Sequence, residues 1–337
     1  MRKNLLYIGN RLSGKGGAAT TIDTLGPMLE TEGFYVRYAS VMKNKALRMM
    51  DMLFSVILYS KKADYVLIDT YSTQNFWYAF AVAKTCQLFK IKYVPILHGG
   101  MLPERLKKSP KSCRTLFAKA YRNVAPSRYL WEAFRSTGFD NLEYIPNNIK
   151  INDYTFKQRG IIRPKLLWVR AFSEIYNPML ALKALKLLLK EYPKATLCMI
   201  GPDKDGNLSV CKTYAKKHGL PVKFTGKLSK KEWRERSKEF DVFLNTTHID
   251  NTPISVIEVM ALGLPVISTN VGGIPYLLED KKDALLVADD DTEGVAASIT
   301  LLIKNPEIAS NLTLNARTRA EGFDWENVRQ AWLRLLD

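Results

Sequence analysis

Cysteine and histidine are scarce in this chain. Its 337 residues hold four cysteines, Cys86, Cys113, Cys198 and Cys211, and three histidines. No C-x-x-C pair occurs and no histidine stands at zinc-ligand spacing from a cysteine, so a metal site has no support and free thiols in a reducing compartment are expected. Long apolar runs are missing too. After Met1-Arg2-Lys3 the run 5–8 breaks at Gly9-Asn10-Arg11, too short for a signal-peptide core, and no stretch reaches the roughly 18 apolar residues of a membrane span. A cytoplasmic protein is expected, with any membrane attachment peripheral and on the inner face.

Carboxylates are the third shortage. Asp and Glu number 33 against 50 Lys and Arg, a net charge of +17, and residues 1–150 hold 23 basic against 10 acidic side chains. The densest basic piece, Arg105, Lys107, Lys108, Lys111, Arg114, Lys119 and Arg122, contains no acidic residue. Such a field favours phosphate, nucleic acid or an anionic bilayer surface. Nucleic acid is set aside, because neither a recognition-helix motif nor aromatics interleaved with the basic run are present. An anionic membrane surface, met through Arg105, Lys107, Lys108, Lys111 and Arg114, remains as a partner, beside the plainer reading of a solvated face.

What is abundant is a repeated pattern of short apolar runs separated by helix-like segments. Strands are predicted at 5–8, 35–39, 65–68, 93–97, 123–125 and 143–145, and the pattern restarts at 165–169, 195–200, 222–224, 242–244, 265–268 and 284–287. Continuous apolar strands alternating with helices indicate parallel sheets covered on both faces. The fold class is therefore α/β, with two doubly wound Rossmann-like domains facing across a cleft. The polar, aperiodic stretch 150–163 is the linker candidate, which gives domains at 1–155 and 156–337, with the last helix, about 324–336, expected to pack back on the first. In such sheets ligands sit beyond the carboxyl ends of the strands.

Four features fall at those ends. Residues 245–278 contain a helix predicted to start with Thr252 as N-cap and Pro253 at its first position and to end at Gly263 and Pro265. Every side chain from 254 to 262 is apolar except Ser255 and Glu258, so Glu258 is a buried carboxylate in need of hydrogen-bond donors, and its own helix offers no Lys or Arg. Gly9 to Gly17 reads as a glycine-rich turn into a helix: it is neither a Walker motif nor G-x-G-x-x-G, and an anion cradle and a permissive turn stay open. His98-Gly99-Gly100 closes the fourth strand as a structural histidine or a ligand contact. Arg170 follows the seventh strand, placed to grip phosphate or to form a surface ion pair. Asp289-Asp290-Asp291 reads as a solvated helix N-terminus and His248 as a loop residue, so no metal ligands are assigned.

Together these residues resemble the retaining glycosyltransferases of family 4, which have the GT-B fold. The likeness rests on Asp250, seven residues, Glu258, then Gly263-Leu264-Pro265-Val266 and Gly272-Gly273, with Gly16-Gly17, His98-Gly99-Gly100, Pro146-Asn147-Asn148, Ile200-Gly201, Phe224-Thr225-Gly226 and Phe323-Asp324-Trp325-Glu326. The resemblance implies transfer of a sugar from a nucleotide-diphosphate donor, without a metal or other cofactor, with the anomeric configuration kept. Glu258 would bind the donor ribose, and Arg170 would neutralise the leaving diphosphate with help from Gly16, Gly17 and the helix start at Thr252, Pro253, Ile254 and Ser255. Gly201 and Gly226 would line the donor side, His98 would contact the transferred sugar, and Asp250 would hold sugar hydroxyls.

Two departures stand out. Asp250 replaces the family's usual Glu, and the Lys-Gly that usually follows the arginine is absent from Ser173-Glu174-Ile175-Tyr176-Asn177-Pro178. Lys15, Lys227, Tyr176 and Asn177 are the candidates to substitute. The expected acceptor is a saccharide or lipid-linked saccharide of a surface polysaccharide, with the Met- and Leu-rich segment 46–59 either core or an interfacial helix. The alternatives are a non-catalytic relative that binds nucleotide sugar or a partner, and a different enzyme on the same fold.

Overall fold

Each predicted apolar run becomes a strand in the computed structural model, which describes residues 3–13 and 20–337. By its contacts the chain divides into two units, Met1–Pro146 with Arg329–Asp337, and Asn147–Val328. Residues Gly14 to Ala19, including Lys15, Gly16 and Gly17, lie outside the described residues.

In unit 1 the order is β1 (Asn4–Ile8), α1 (Thr21–Thr31), β2 (Tyr35–Ala39), α2 (Lys45–Tyr59), β3 (Tyr65–Thr70), α3 (Phe76–Leu88), β4 (Tyr93–Leu97), α4 (Leu102–Lys108), α5 (Pro110–Phe117), β5 (Asn123–Ala125), α6 (Arg128–Ser136) and β6 (Leu142–Tyr144). All pairings are parallel and the strands lie in the order β2-β1-β3-β4-β5-β6. Chain direction across the sheet reverses between β1 and β3, which opens a crevice at their carboxyl ends. The central strands β3 and β4 are buried along their whole length, as strands covered on both faces must be. A cavity of about 810 Å³ follows the open edge of β2, lined by Arg11, Glu30, Arg37, Tyr38 and Tyr59, and touches none of the predicted site residues.

Unit 2 repeats the plan with β7 (Lys165–Val169), α7 (Pro178–Leu188), β8 (Thr196–Ile200), α8 (Asn207–Lys217), β9 (Val222–Gly226), α9 (Lys230–Ser237), β10 (Val242–Asn245), α10 (Ile254–Leu262), β11 (Val266–Thr269), α11 (Ile274–Leu277), β12 (Leu285–Val287), α12 (Thr292–Lys304), α13 (Pro306–Glu321) and the start of α14 (Trp325–Leu336). Its parallel order is β12-β11-β10-β7-β8-β9, so the switch lies between β7 and β10. Arg170 leaves one of these two strands and Asp250 the other. The end of α14 belongs to unit 1, where Arg329 stands 3.5 Å from Glu32 and Lys3 Nζ donates to the Asp337 carbonyl at 2.5 Å.

Two readings change. Residues 150–163 are not a linker: the division falls at Pro146/Asn147, and the stretch is strapped onto unit 2. Its polarity is used on buried partners. Arg159, 5% exposed, donates from Nε to the Phe240 carbonyl and from Nη1 to the Gly263 carbonyl, and sits 3.5 Å from Asp241. Burial pushes its guanidinium below the usual arginine range, with Asp241 opposing that shift. The second change is at α10. Pro253, not Thr252, stands at the N-cap, because the first helical amides, of Val256 and Ile257, bond to the Pro253 carbonyl; its backbone is extended and its ring offers no side-chain cap bond. Gly263 ends the helix in the left-handed conformation at φ 75°, as expected of a C-terminal glycine.

Candidate active site

The loops that leave β7 and β10 are stitched into one wall. Thr246 Oγ1 donates to the Tyr176 and Asn177 carbonyls and accepts from Trp168 Nε1, while Thr247 Oγ1 and the His248 amide both donate to the Ile175 carbonyl. On this wall Arg170 Nη2 pairs with Asp250 Oδ2, and its guanidinium lies 4.8 Å from the centre of the Tyr176 ring. Asp250 is itself fixed: Oδ1 accepts from the Asn251 amide at 2.8 Å and its carbonyl accepts from the Gly273 amide at 2.8 Å. Gly201 backs the arginine. At φ 156° its position favours glycine, and a Cβ there would collide with the Arg170 carbonyl. Its amide donates to the Gly226 carbonyl at 2.9 Å, which joins the ends of β8 and β9 behind the site.

Two buried polar atoms here lack a partner among the described residues, Arg170 Nε and Ser255 Oγ in the first turn of α10. The first N–H groups of a helix have no intrahelical acceptor, so these orphans and the helix start offer donors to an anion. Glu258 lies one turn further on and is 5% exposed. Its missing donors come from the protein: Oε1 accepts from the Tyr154 hydroxyl at 2.6 Å and sits 3.0 Å from Lys230 Nζ. Burial first, and then the carboxylate beside it, push the Tyr154 phenol well above its ordinary value, so this tyrosine is a committed donor.

Where the resemblance expects Lys-Gly, Asn177 takes the left-handed conformation at φ 43° that a glycine would otherwise supply. Its side chain is largely committed, Nδ2 donating one of its two hydrogens to Asp290 Oδ1 at 2.7 Å and Oδ1 capping α7 at the Leu180 amide. Asp291 caps α12 through the Gly294 amide, as read from the sequence. His248 has more structure than a plain loop residue: Nδ1 lies 2.9 Å from Asp289, and with Asp290 the three side chains form an exposed cluster.

In unit 1, His98 sits at the β1/β3 switch with a partner that sequence reasoning missed. Asp69, the penultimate residue of β3, accepts from His98 Nε2 at 2.8 Å and from the Tyr7 hydroxyl at 3.0 Å, all three side chains being buried. The other nitrogen, Nδ1, lies 3.5 Å from the Thr21 hydroxyl. Asp69 Oδ2 has no partner among the described residues. The signal was available: a carboxylate near the end of an otherwise apolar strand, like Glu258, needs a donor. Gly99 is a packing glycine, since a Cβ there would stand 2.6 Å from the Ser72 amide nitrogen. Arg105 is structural as well, donating from Nε and Nη2 to the Ser72 carbonyl, which removes it from the exposed basic face.

Residues 155–319, nearly all of unit 2, match the family model described as glycosyl transferases group 1. The chain carries a group 1 glycosyl transferase domain. Among curated proteins, it is 32% identical over 95 residues to D-inositol 3-phosphate glycosyltransferase of Saccharomonospora viridis, covering 28% of this chain and 22% of that one. It is 24% identical over 272 residues to the amylovoran biosynthesis glycosyltransferase AmsK of Erwinia amylovora, covering 73% and 64%. These matches therefore span less than two thirds of the relatives' own length. Among solved structures, Anabaena HepE in complex with UDP and glucose superposes with a TM-score of 0.78 at 18% identity, over 98% of each chain. Two parallel six-stranded sheets with alternating helices, superposable on such neighbours, give the chain the GT-B fold.

Proposed function

We propose that this protein is a retaining, metal-independent glycosyltransferase of family 4. It moves a hexosyl group from a nucleotide-diphosphate sugar to a saccharide or lipid-linked saccharide acceptor in surface polysaccharide synthesis. The observation that carries the reading is the pair of unpartnered buried atoms, Arg170 Nε and Ser255 Oγ, at the switch point of a group 1 domain. An arginine held in place but not saturated is a seat for an anion whose charge grows during reaction.

Asp250 occupies one nitrogen of Arg170. An incoming diphosphate competes for that guanidinium, which lets the carboxylate turn to sugar hydroxyls. Arg170, braced by Gly201 and Tyr176, then neutralises the departing diphosphate together with the start of α10. Glu258, oriented by Tyr154 and Lys230, accepts from the ribose hydroxyls. His98, with Asp69 fixing its tautomer, serves the transferred sugar. Asp250 and Asn177, both committed to protein partners, favour one alternative, a non-catalytic relative that binds nucleotide sugar.

The test is a panel of nucleotide sugars, with UDP-sugars first because HepE was solved with UDP and glucose. Release of nucleoside diphosphate is followed, and the product anomer is read by NMR. Arg170→Ala is expected to lower turnover on the order of 100-fold while donor affinity falls less, since two charge-assisted hydrogen bonds are strongest in the transition state. Binding without turnover by the wild type would select the non-catalytic reading, and an inverted anomer would refute the retaining one.

A further inference from the structure

Helix α2 uses only one of its faces for the core. Met52 and Val56 are buried in the unit 1 core, and buried Arg48 is consumed by the Met42 and Lys43 carbonyls and the Asn10 side chain. On the opposite face Leu47, Met50, Phe54, Ile57 and Leu58 are 54, 65, 64, 47 and 57% exposed. Leu47, Met50, Phe54 and Ile57 recur at intervals of three, four and three residues, so they form one stripe along the outside of the helix. Val41 and Met42, also exposed, extend it beyond the N-terminus. A surface helix is normally polar on this side, and a contiguous apolar stripe marks an interaction site.

The rim of the stripe says what covers it. Lys43 and Lys45 precede it, Lys61 and Lys62 follow it, and all four are exposed. The one carboxylate of α2, Asp51, is half-buried to the side. Helix α2 packs on α3 and α3 on α5, so one helical layer continues from the stripe through exposed Trp77 to exposed Lys111 and Arg114. Lysines ringing an apolar strip complement a surface that is negative outside and apolar beneath. In a second copy of this chain docked through the same stripe, each copy would bring four lysines against a single stripe-flanking carboxylate, Asp51. Among the described residues no helix is long and apolar enough to cross a membrane.

We propose that this face of unit 1 docks on an anionic lipid bilayer, with α2 lying flat and its stripe at the boundary between headgroups and acyl chains. The inference stands on the surface and not on sugar transfer, and vesicle binding is measured apart from donor turnover. In co-sedimentation, the full chain is expected to bind vesicles containing about 30% phosphatidylglycerol at least tenfold better than pure phosphatidylcholine, and to lose most of that preference near 0.5 M salt. The double variant Phe54→Glu/Ile57→Glu should lose at least about tenfold in anionic-vesicle binding with its unfolding midpoint unchanged, because both side chains face solvent. Lys61→Gln/Lys62→Gln should lose about fivefold per charge removed. Failure of the wild type to bind anionic vesicles would overturn the proposal, as would equal binding by the glutamate variant. A wild-type dimer that the glutamate variant dissociates, with no vesicle binding by either, would assign the stripe to a second copy instead.

Discussion

Glu258 has two candidate reasons to exist, a ribose and a pair of protein donors, and Glu258→Gln separates them by size. The amide keeps the shape and removes the charge. A hydrogen bond to a charged group contributes about 1.5–3 kcal/mol and a neutral one about 0.5–1.5, so the bond from Tyr154 weakens by about 1 kcal/mol. Lys230 is half-exposed, and screening limits its pair with Glu258 to at most about 1 kcal/mol. Unit 2 should therefore lose about 1–2 kcal/mol, or about 2–8 °C in its melting temperature. If two ribose hydroxyls also donate to this carboxylate, nucleotide affinity drops by about a further 2 kcal/mol, close to 30-fold in Kd. The assay is calorimetric titration of wild type and variant with the preferred nucleoside diphosphate and its 2′-deoxy analogue. Wild type should discriminate between the two, and Glu258→Gln should bind them nearly alike. Tyr154→Phe is the control: it lowers stability by about 1.5–3 kcal/mol while discrimination survives, since the carboxylate remains. Full discrimination by Glu258→Gln would refute the ribose assignment and leave Tyr154 and Lys230 as the whole account of this buried charge.

If His98 serves the transferred sugar as proposed, Asp69→Asn, which removes its charged partner, should lower turnover on the order of 100-fold with nucleotide Kd within about twofold. A large change in Kd would show that the dyad supports folding rather than chemistry. Gly201→Ala should cost at least about 2 kcal/mol by urea unfolding, from the Cβ forced toward the Arg170 carbonyl, and an unaltered midpoint would mean that the ends of β7 and β8 part freely. Burial pushes the Cys86 and Cys211 thiols up to about 12 and Cys113 and Cys198 to about 11, so the native chain should resist a thiol reagent at pH 8 and react fully once unfolded. Burial likewise raises Tyr93 to about 12, and it also raises Tyr7 and Tyr154 well above the ordinary phenol value. These folded values lie above the unfolded phenol near 10, so the stability they contribute is complete below about pH 10 and is lost as pH climbs through the folded values. Urea midpoints that stay flat from about pH 9 to 11.5, or phenolate absorbance that rises without a lag, would contradict this.

The strands were legible because a fully covered parallel strand must be apolar on both faces, and such runs are short and bounded by turn residues, whereas the apolar helices α2 and α10 are longer. Twelve short runs, the central ones fully covered and the edge ones β2, β6 and β9 only partly so, determine two doubly wound sheets and hence where their ligand ends lie. Partners were not legible, because a hydrogen bond between side chains leaves no trace in spacing. Tyr154 reaches Glu258 across 104 positions, and Asp69 reaches His98 across 29. The strap shows the same failure in reverse. Residues 150–163 look like linker because they are polar, yet Arg159 is buried and its polarity serves main-chain carbonyls.

Helix α2 is the case where composition was read correctly and meaning was not available. Met50 and Met52, or Phe54 and Val56, are equivalent in hydropathy, and a helix apolar on every side does not announce which side is covered. Only the fold decides, by turning Met52 and Val56 onto the sheet and leaving Met50 and Phe54 outside. The outward face then requires its own explanation, because no core remains on that side to bury it. The lysines at both ends of the helix, together with the excess of basic residues in the first 150 positions, point that explanation toward a negatively charged surface with an apolar interior.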